Sequence, residues 1–584
     1  MPTLDWIGKD KVINHHLDVP YRVLERQYSY DENGKHTEDN GSENMIIHGD
    51  NLSALKSLLP QYEGRIKCIY IDPPYNTGNE NWVYNDNVND PRIKKWLGEV
   101  VGKEGEDLSR HDKWLCMMYP RLKLLQKLLA SEGVIFISID DNELYFLKAI
   151  CDEVFGASCF VADISWQRTY SMRNDVKGIA AEVEHILVYG KNPLWQPNKL
   201  QRTEQMDSKY KNPDNDPRGA WRNIVASAPN AATHQGMVYA IQNPTTGEYA
   251  YPPQGRCWSL GQDQMLEAMN KWCDYKLIDL NDSEKRAEMC GVSKDVIRKD
   301  VLAIVIAEPL ETAKEKAKAI FEHGVLPEFY FSRNGLGTLS RKAYINEVGG
   351  RPVTNFWCFE ETGHTDEASR LLKAIFNGTA VFDTPKPPRL LERVLHIVGD
   401  DEALILDSFA GSGTTAHAVL NMNKVDGGNR KFILIEMMDY ADNITAERVK
   451  RVINGYGEGK NAVEGTGGNF SYYELGDTLM NGDELNEDVG IDKIREYVYF
   501  TETKSRLSEP KADEPYYLGT HISTVYYFFY DKENITTLNR EFLHTVKTKA
   551  DGYVIYADIC TLSDAELEKY HITFKKIPRD ITKL

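Results

Sequence analysis

The chain has 584 residues, enough for three or four domains of ordinary size. Hydrophobic residues make up 41% and charged residues 27%, which suits a globular protein and excludes collagen-like, disulfide-scaffold and wholly disordered classes. The formal charge of −19 argues against nucleic acid as a partner on average, although binding needs only a local basic strip.

No apolar run reaches the roughly 18 residues that a membrane span requires. The opening Met-Pro-Thr-Leu-Asp-Trp lacks the pattern of a secretory leader, so a cytoplasmic protein without membrane contact is expected. Residues 1–43 are polar and read as an arm. From Asn44 an α/β pattern begins. Arg65–Ile71 is a buried strand that ends at Asp72. Residues 76–113 are polar, with Trp82 and Tyr84 embedded, and read as a long loop. Leu115, Met118, Leu122, Leu125 and Leu129 then recur at helical spacing. Gly133–Ile139 is a second buried strand, a helix follows from about Asn142, and His185–Tyr189 is a third strand.

Residues 195–355 change character. They are rich in Pro, Asn, Gly and aromatics, then charged and helical over 282–323, then β-like with glycines, and read as an inserted domain. The Lys314–Lys318 stretch mixes signs and reads as a solvated helix face. The α/β pattern resumes at 356–460. Ala403–Leu406 is a strand ending at Asp407, and Lys431–Ile435 is a strand ending at Glu436. Gly457–Gly468 reads as a glycine-rich linker, and 461–584 as linker and C-terminal domain, with strands at Thr524–Tyr530 and Tyr553–Tyr556. The nine cysteines show neither C-x-x-C nor zinc-ligand spacing, so they read as reduced, mostly buried thiols, and no metal is expected.

Two motifs carry chemistry. In Asp72-Pro73-Pro74-Tyr75 a strand delivers a carboxylate, two prolines fix the backbone and remove two N–H donors, and an aromatic follows. Such a set can hold a planar amine: the carboxylate accepts one amino hydrogen, the Pro73 carbonyl accepts the other, and Tyr75 stacks on the base. Asp-Pro-Pro alone is also a common turn former. In Asp407-Ser408-Phe409-Ala410-Gly411-Ser412-Gly413 a strand enters a glycine-rich turn and then a helix, so the backbone can approach a ligand closely. The turn lacks the Lys of a P-loop and the full dinucleotide fingerprint. Glu436 is placed like the acid that binds a ribose diol. A generic strand-to-helix turn remains an alternative.

Together these motifs resemble those of S-adenosylmethionine-dependent amino-methyltransferases of DNA, in the order, catalytic motif first, of their β group. The chain is still more similar to the modification subunit of type III restriction–modification systems, through Gly49-Asp50-Asn51-Leu52, Ile69–Gly78, Gly133–Asp141, Asp216-Pro217-Arg218-Gly219, Thr384-Pro385-Lys386-Pro387, Tyr553–Asp558 and Phe574–Ile581. The resemblance implies an α/β fold with a circularly permuted, Rossmann-like methyltransferase core. That core would have a catalytic half at 44–194, a target-recognition insert at 195–355, a cofactor half at 356–460 and a C-terminal α+β domain. It implies methylation of adenine N6 in duplex DNA. Asp72, Pro73, Pro74 and Tyr75 would be catalytic. Asp407, Phe409, Gly411, Gly413 and Glu436 would hold S-adenosylmethionine, with Asp50 and Lys386 beside them. Asp50 equally suits a helix N-cap, and Lys386 a solvated surface position. In the insert, Arg218, Trp221, Arg256 and Arg333 are candidates for DNA contact, together with Arg222, Trp258, Arg341 and Lys342. The implied assembly is a homodimer served by a separate helicase–nuclease subunit. A stand-alone methyltransferase, a degenerate DNA-binding module and an enzyme acting on RNA or protein amines are alternatives.

Overall fold

The computed structural model describes residues 3–76, 110–171, 178–505 and 507–579. Thr77, Gly78, Trp82, Tyr84 and Ile581, singled out above, lie outside them. Among the described residues, eleven strands form one large sheet. In chain order they are β1 (Arg22–Asp31), β2 (Gly34–His36), β3 (Met45–His48), β4 (Ile66–Ile71), β5 (Leu129–Ile139), β6 (Phe160–Gln167), β7 (Val183–Gly190), β8 (Phe356–Trp357), β9 (Leu404–Asp407), β10 (Lys431–Glu436) and β11 (Asn469–Thr478). Their order across the sheet is β8-β6-β7-β5-β4-β9-β10-β3-β11-β1-β2.

The six strands from β5 to β11 in this order are mutually parallel, while β7 runs antiparallel to β5 and β6. The central parallel strands β4, β9 and β10 read as nearly unbroken apolar runs because both of their faces are covered. Ile69 and Ile71 pack with α1 (Asn51–Tyr62), α2 (Arg110–Leu128) and α3 (Leu144–Cys151) in one core. The alternate residues Cys68 and Tyr70 point the other way and are equally buried. Helices α4 (Pro388–Val398) and α5 (Thr414–Asp426) contact β4 and β10 respectively. The late strands β9 and β10 sit between the early strands β4 and β3, so the two motif-bearing strand ends, far apart in sequence, become neighbours. Ile405 pairs with Cys68 and Leu406 with Ile69.

The N-terminal segment is not an arm. Strand β1 pairs antiparallel with β11 over its whole length. Tyr28 stacks on Tyr472 at 5.1 Å, and the Ser29 and Ser471 hydroxyls lie 2.8 Å apart. Trp6, Val12 and Val19 enter the main core. This corrects the boundary at 43, and equally the assignment of 461–478 to a linker and C-terminal domain, since β11 completes the large sheet. Both segments looked irregular because their strands carry many polar residues and find each other more than 400 residues apart.

Residues Lys199–Pro352 form a separate compact unit. Its core gathers Trp221, Trp258, Trp272, Tyr239 and Phe331 around small sheets. The 282–323 stretch is not wholly helical: the buried strand Ala303–Ile306 lies between helices Ser283–Cys290 and Leu310–His323. On the second helix Lys314 and Lys316 pair with Glu311 and Glu308 at the surface.

The C-terminal segment has its own four-stranded sheet, Tyr517–His521, Thr524–Phe528, Gly552–Ala557 and Ile572–Lys576. Helix Ile491–Thr503 sends Phe500 into the main core. Among the described residues no helix is long and apolar enough to cross a membrane.

A chain shortened to begin at residue 44 is expected to expose β11 and the floor of the main core. Soluble yield should fall at least about tenfold, and any soluble product should melt more than about 5 °C lower in a thermal scan. A true arm would leave both unchanged.

Candidate active site

Strands β4 and β9 are adjacent and parallel, so their carboxyl ends open onto one crevice, the place where open α/β sheets bind ligands. Asp72 follows β4 and Asp407 ends β9. Both line a small, half-open cavity with Tyr70, Phe382, Thr384, Lys386, Phe409 and Gly411.

On the β4 side the Pro73–Pro74 turn is pinned by the Trp114 indole, whose Nε1 donates to the Pro74 carbonyl at 2.6 Å. Asn76 follows with φ of 59°, a conformation that Asn tolerates better than most residues. Its amide donates to the Arg110 carbonyl at 3.2 Å and to Glu143. His111 also holds Glu143, at 2.7 Å.

On the β9 side Asp407 accepts from the Phe409 N–H at 3.0 Å and from the Thr415 hydroxyl at 2.6 Å, which closes the turn on itself. Glu436, at the end of β10, accepts from the Gly411 N–H at 2.8 Å and the Met438 N–H at 3.0 Å. Gly413 sits at φ of 80°, and a Cβ there would stand 3.0 Å from the Thr445 carbonyl, so the turn needs glycine for both reasons. Beneath the turn the buried Arg448 guanidinium donates to the Ser412 and Thr414 hydroxyls, each at 2.8 Å. Burial raises the carboxyls of Asp407 and Glu436 to about 7 each, because removing a carboxylate from water disfavours its charge. The Ser408 hydroxyl is buried with no hydrogen-bond partner among the described residues. Two buried acids with spare lone pairs, an orphaned hydroxyl and a close glycine backbone suit a ligand with positive charge and hydroxyl donors.

The Asp72-Pro-Pro-Tyr motif is held by a cluster that the sequence reading did not assemble. The Lys386 ammonium lies 2.9 and 2.7 Å from the two Asp72 oxygens and 2.9 Å from the Tyr75 hydroxyl oxygen. It also lies 3.5 Å from Glu184. The Tyr75 hydroxyl is 2.8 Å from Asp72 and 3.2 Å from Glu184. Glu184 in turn accepts from Arg168 at 2.8 Å. Burial opposes the charge on Lys386, yet Asp72 and Glu184 outweigh it and hold the ammonium above the usual lysine range. Burial likewise opposes the charge on Glu184, but Lys386 and Arg168 keep its carboxyl below the usual range.

Lys386 is therefore no surface lysine. Its ammonium reaches the Asp72 carboxylate, while its carbonyl accepts from the Thr414 hydroxyl at 3.2 Å on the glycine-rich turn after β9. Glu184 and Arg168 escaped the sequence reading because β7 was legible only through its apolar residues. The available signal was orientation. An antiparallel strand starts where its parallel neighbours end, so the first residues of β7 face Asp72.

Asp50 is the N-cap of α1, accepting from the Ser53 N–H at 2.8 Å, and its side chain is half exposed. Its neighbour Asn51 donates to the Ser408 carbonyl at 3.3 Å, and the Gly49 N–H donates to the Glu436 carbonyl at 3.0 Å. The Gly-Asp-Asn-Leu motif thus braces the turn on the β9 side.

In the separate unit, Trp221 is a core residue whose indole donates to Asp214 at 2.8 Å, and Trp258 is equally buried, which corrects their assignment to DNA contact. Lys342 is fully buried between Asp214 and Asp216, at 2.6 and 2.5 Å, for the same reason. The Asp216-Pro-Arg-Gly motif is thus a structural knot. Its Arg218 bridges Glu328 and Glu347 and lies 4.0 Å over the Tyr344 ring. Arg256 donates to the Ser227 hydroxyl and carbonyl at 2.8 and 2.6 Å. Arg341 pairs with Glu328 at 3.2 Å. Arg222 and Arg333 are exposed, Arg333 in the tight turn between Phe329–Phe331 and Leu339–Tyr344.

A family model described as DNA methylase matches residues 66–255 and 266–447, more than half of the chain. The type III restriction–modification enzyme StyLTI Mod subunit of Salmonella typhimurium is 30% identical, the match covering 77% of this chain and 62% of that one. The EcoP15I Mod subunit of Escherichia coli is 27% identical over 78% of this chain and 66% of that one. The chain thus spans just under two thirds of the length of these Mod subunits. The type II methyltransferase M.KpnI of Klebsiella pneumoniae is 30% identical over 68% of this chain and 81% of that one.

The raised Asp407 carboxyl sets a stability trend. The folded state keeps this proton up to about pH 7, while the unfolded chain sheds it near pH 4, so this group's contribution to stability falls as pH rises between those values. The melting temperature of the ligand-free Asp407→Asn variant is expected to gain on that of the native chain as pH goes from 5 to 7.5. Parallel melting curves for the two proteins would contradict the assignment.

Proposed function

The chain belongs to the DNA methylase family, and from that premise we propose that it transfers a methyl group from S-adenosylmethionine to adenine N6 at a specific duplex DNA sequence. The observation that carries this reading is the meeting, across one cavity, of Asp72 from the Asp-Pro-Pro-Tyr motif with Asp407 and its glycine-rich turn, which the buried Glu436 holds through the Gly411 N–H. When bound, S-adenosylmethionine supplies an electrophilic methyl on a positively charged sulfur.

The target base must leave the duplex, at a cost of a few kcal/mol that the pocket's hydrogen bonds and stacking offset. Asp72 accepts one hydrogen of the amino group and the Pro73 carbonyl the other. The nitrogen lone pair is thereby drawn out of the ring and aimed, so orientation and electrostatics supply the catalysis. The new C–N bond forms as the C–S bond breaks, and the nitrogen sheds its proton beside the Asp72 carboxylate. Glu436 and Asp407 would hold hydroxyl and cationic groups of the cofactor, and the backbone at Phe409, Gly411 and Gly413 would line its approach. The unit 199–352, with Arg222 and Arg333 exposed, is the candidate for target recognition.

Similarity to the Mod subunits supports a role as the modification subunit of a type III system. That role implies a homodimeric, cytoplasmic enzyme served by a separate helicase–nuclease subunit. The fuller coverage of the type II relative favours a second reading, a methyltransferase that works without such a partner. A degenerate DNA-binding module fits less well, because the acids of both motifs are intact.

Expression of the chain alone in a methylation-free bacterial host is expected to place N6-methyladenine at one short motif, detected by long-read modification sequencing, with none in the Asp72→Ala control. Methylation on one strand only would favour the type III role. A soluble protein that binds the cofactor but leaves DNA unmodified would sink the reading. In calorimetric titration, affinity for S-adenosylmethionine is expected to rise up to about tenfold between pH 6 and 8, as the Asp407 and Glu436 carboxyls, poised at about 7, take on charge. Glu436→Gln should flatten that rise.

A further inference from the structure

The Lys386 ammonium occupies a position with unusual chemistry. It faces both Asp72 oxygens and the Tyr75 hydroxyl oxygen within 2.9 Å, and stands 5.1 Å from the centroid of the Tyr75 ring. The Asp72 carboxylate and the Tyr75 ring are the two features that a flipped adenine needs, one for its amino group and one for its π face. An ammonium and an exocyclic amine are both N–H donors, and both fit a carboxylate beside an aromatic face. The ammonium therefore competes with the target for the same contacts.

It also has somewhere to go. Glu184 lies 3.5 Å away on the far side, buried, and holds the Tyr75 hydroxyl and Arg168 as well. Around Lys386 stand Asp72 after β4, Tyr75, Glu184 on β7 and, beyond it, Arg168 just after β6. Four charges of balanced sign make an exchange between the two carboxylates cheap, because the ammonium is never left unpaired in a buried site.

Building on the proposed amino-group methylation, we propose that Lys386 is a resident stand-in for the target amine, which moves from Asp72 onto Glu184 when the flipped base enters, and that Glu184 is the positioning residue that makes this exchange possible. The empty enzyme thus keeps the Asp72 carboxylate oriented by its pairing with Lys386, and the target finds a preformed acceptor. No bond forms or breaks in the exchange.

The test is a double-variant cycle on the full chain, read in two ways: single-turnover methyl transfer, and fluorescence of duplex DNA carrying 2-aminopurine next to the target adenine, which brightens as its neighbour leaves the stack. In Glu184→Gln the ammonium has only Asp72 left, so the transfer rate is expected to fall by about 10- to 100-fold and the flipped-base signal to drop. In Lys386→Gln the two carboxylates repel, and the rate falls as well. The combined Glu184→Gln/Lys386→Gln protein removes both charges and is expected to run several-fold faster than either single variant, with the fluorescence restored. Glu184→Asp should recover part of the loss, and S-adenosylmethionine affinity should stay within about twofold in all Glu184 variants, because that residue touches neither 407–415 nor 436.

A thermal scan separates these effects from misfolding. A double variant no faster than the slower single one, or a Glu184→Gln protein as fast as the native chain, would overturn the exchange. Native protein that binds cofactor and DNA but neither flips nor methylates adenine would instead overturn the function on which it rests.

Discussion

Everything at the site depends on the pairing of β9 with β4. Leu406 sits in register with Ile69, so Asp407 and Asp72 emerge from one edge of the sheet. Two carboxylates brought this close in an apolar interior repel each other and lose their water, and the rest of the local structure answers that cost. Asp407 is answered by hydrogen bonds and by keeping its proton to about pH 7. Asp72 is answered by a buried ammonium. One carboxylate is thus kept weakly acidic and the other fully paired, so their environments separate neighbouring acids by task.

The tie between the halves is short. Lys386 precedes α4, gives its ammonium to Asp72, and gives its carbonyl to Thr414 at the start of α5. Arg448 braces the same turn from below, paired with no acid among the described residues, and burial lowers its guanidinium to about 9. A buried guanidinium without a carboxylate is costly. Here it faces hydroxyls and a carbonyl while two buried acids lie on the other side of the turn. The glycine-rich turn is therefore held between a buried guanidinium and the hydrogen bonds of two buried acids, so its backbone is fixed before any ligand arrives.

The sequence made part of this legible. The strand ends at Asp72, Asp407 and Glu436 were readable because parallel strands are apolar on both faces and stop abruptly at a polar residue. Helix Arg110–Leu128 announced itself by spacing, although its start had looked like loop. What stayed hidden was pairing at long range. Tyr28 and Ser29 look like polar filler until β11 arrives to stack and bond with them. Glu184 looks like the polar edge of a strand until antiparallel pairing carries it to Tyr75. Trp221 and Lys342 illustrate the opposite error. A tryptophan and a lysine in an irregular, Arg-containing stretch suggested nucleic acid, but two aspartates satisfy the indole and the ammonium inside the core. Residue type indicates what a side chain can bind, and only the fold decides whether that partner is internal.

The charge balance of the crevice gives the last step. Asp72, Glu184, Asp407 and Glu436 are set against Lys386 and Arg168 around it, a surplus of acid in a low-dielectric place. An empty site reduces that surplus by holding protons on Asp407 and Glu436. On the proposed reaction, a cationic methyl donor offsets the surplus directly, and its binding draws those protons off near neutrality. Transfer of the methyl leaves a neutral thioether, so the same carboxylates lose their counter-charge at the moment of product formation. The surplus that favours the donor then disfavours the spent cofactor, and discrimination between the two follows from the burial of four acids rather than from any contact with the methyl group itself.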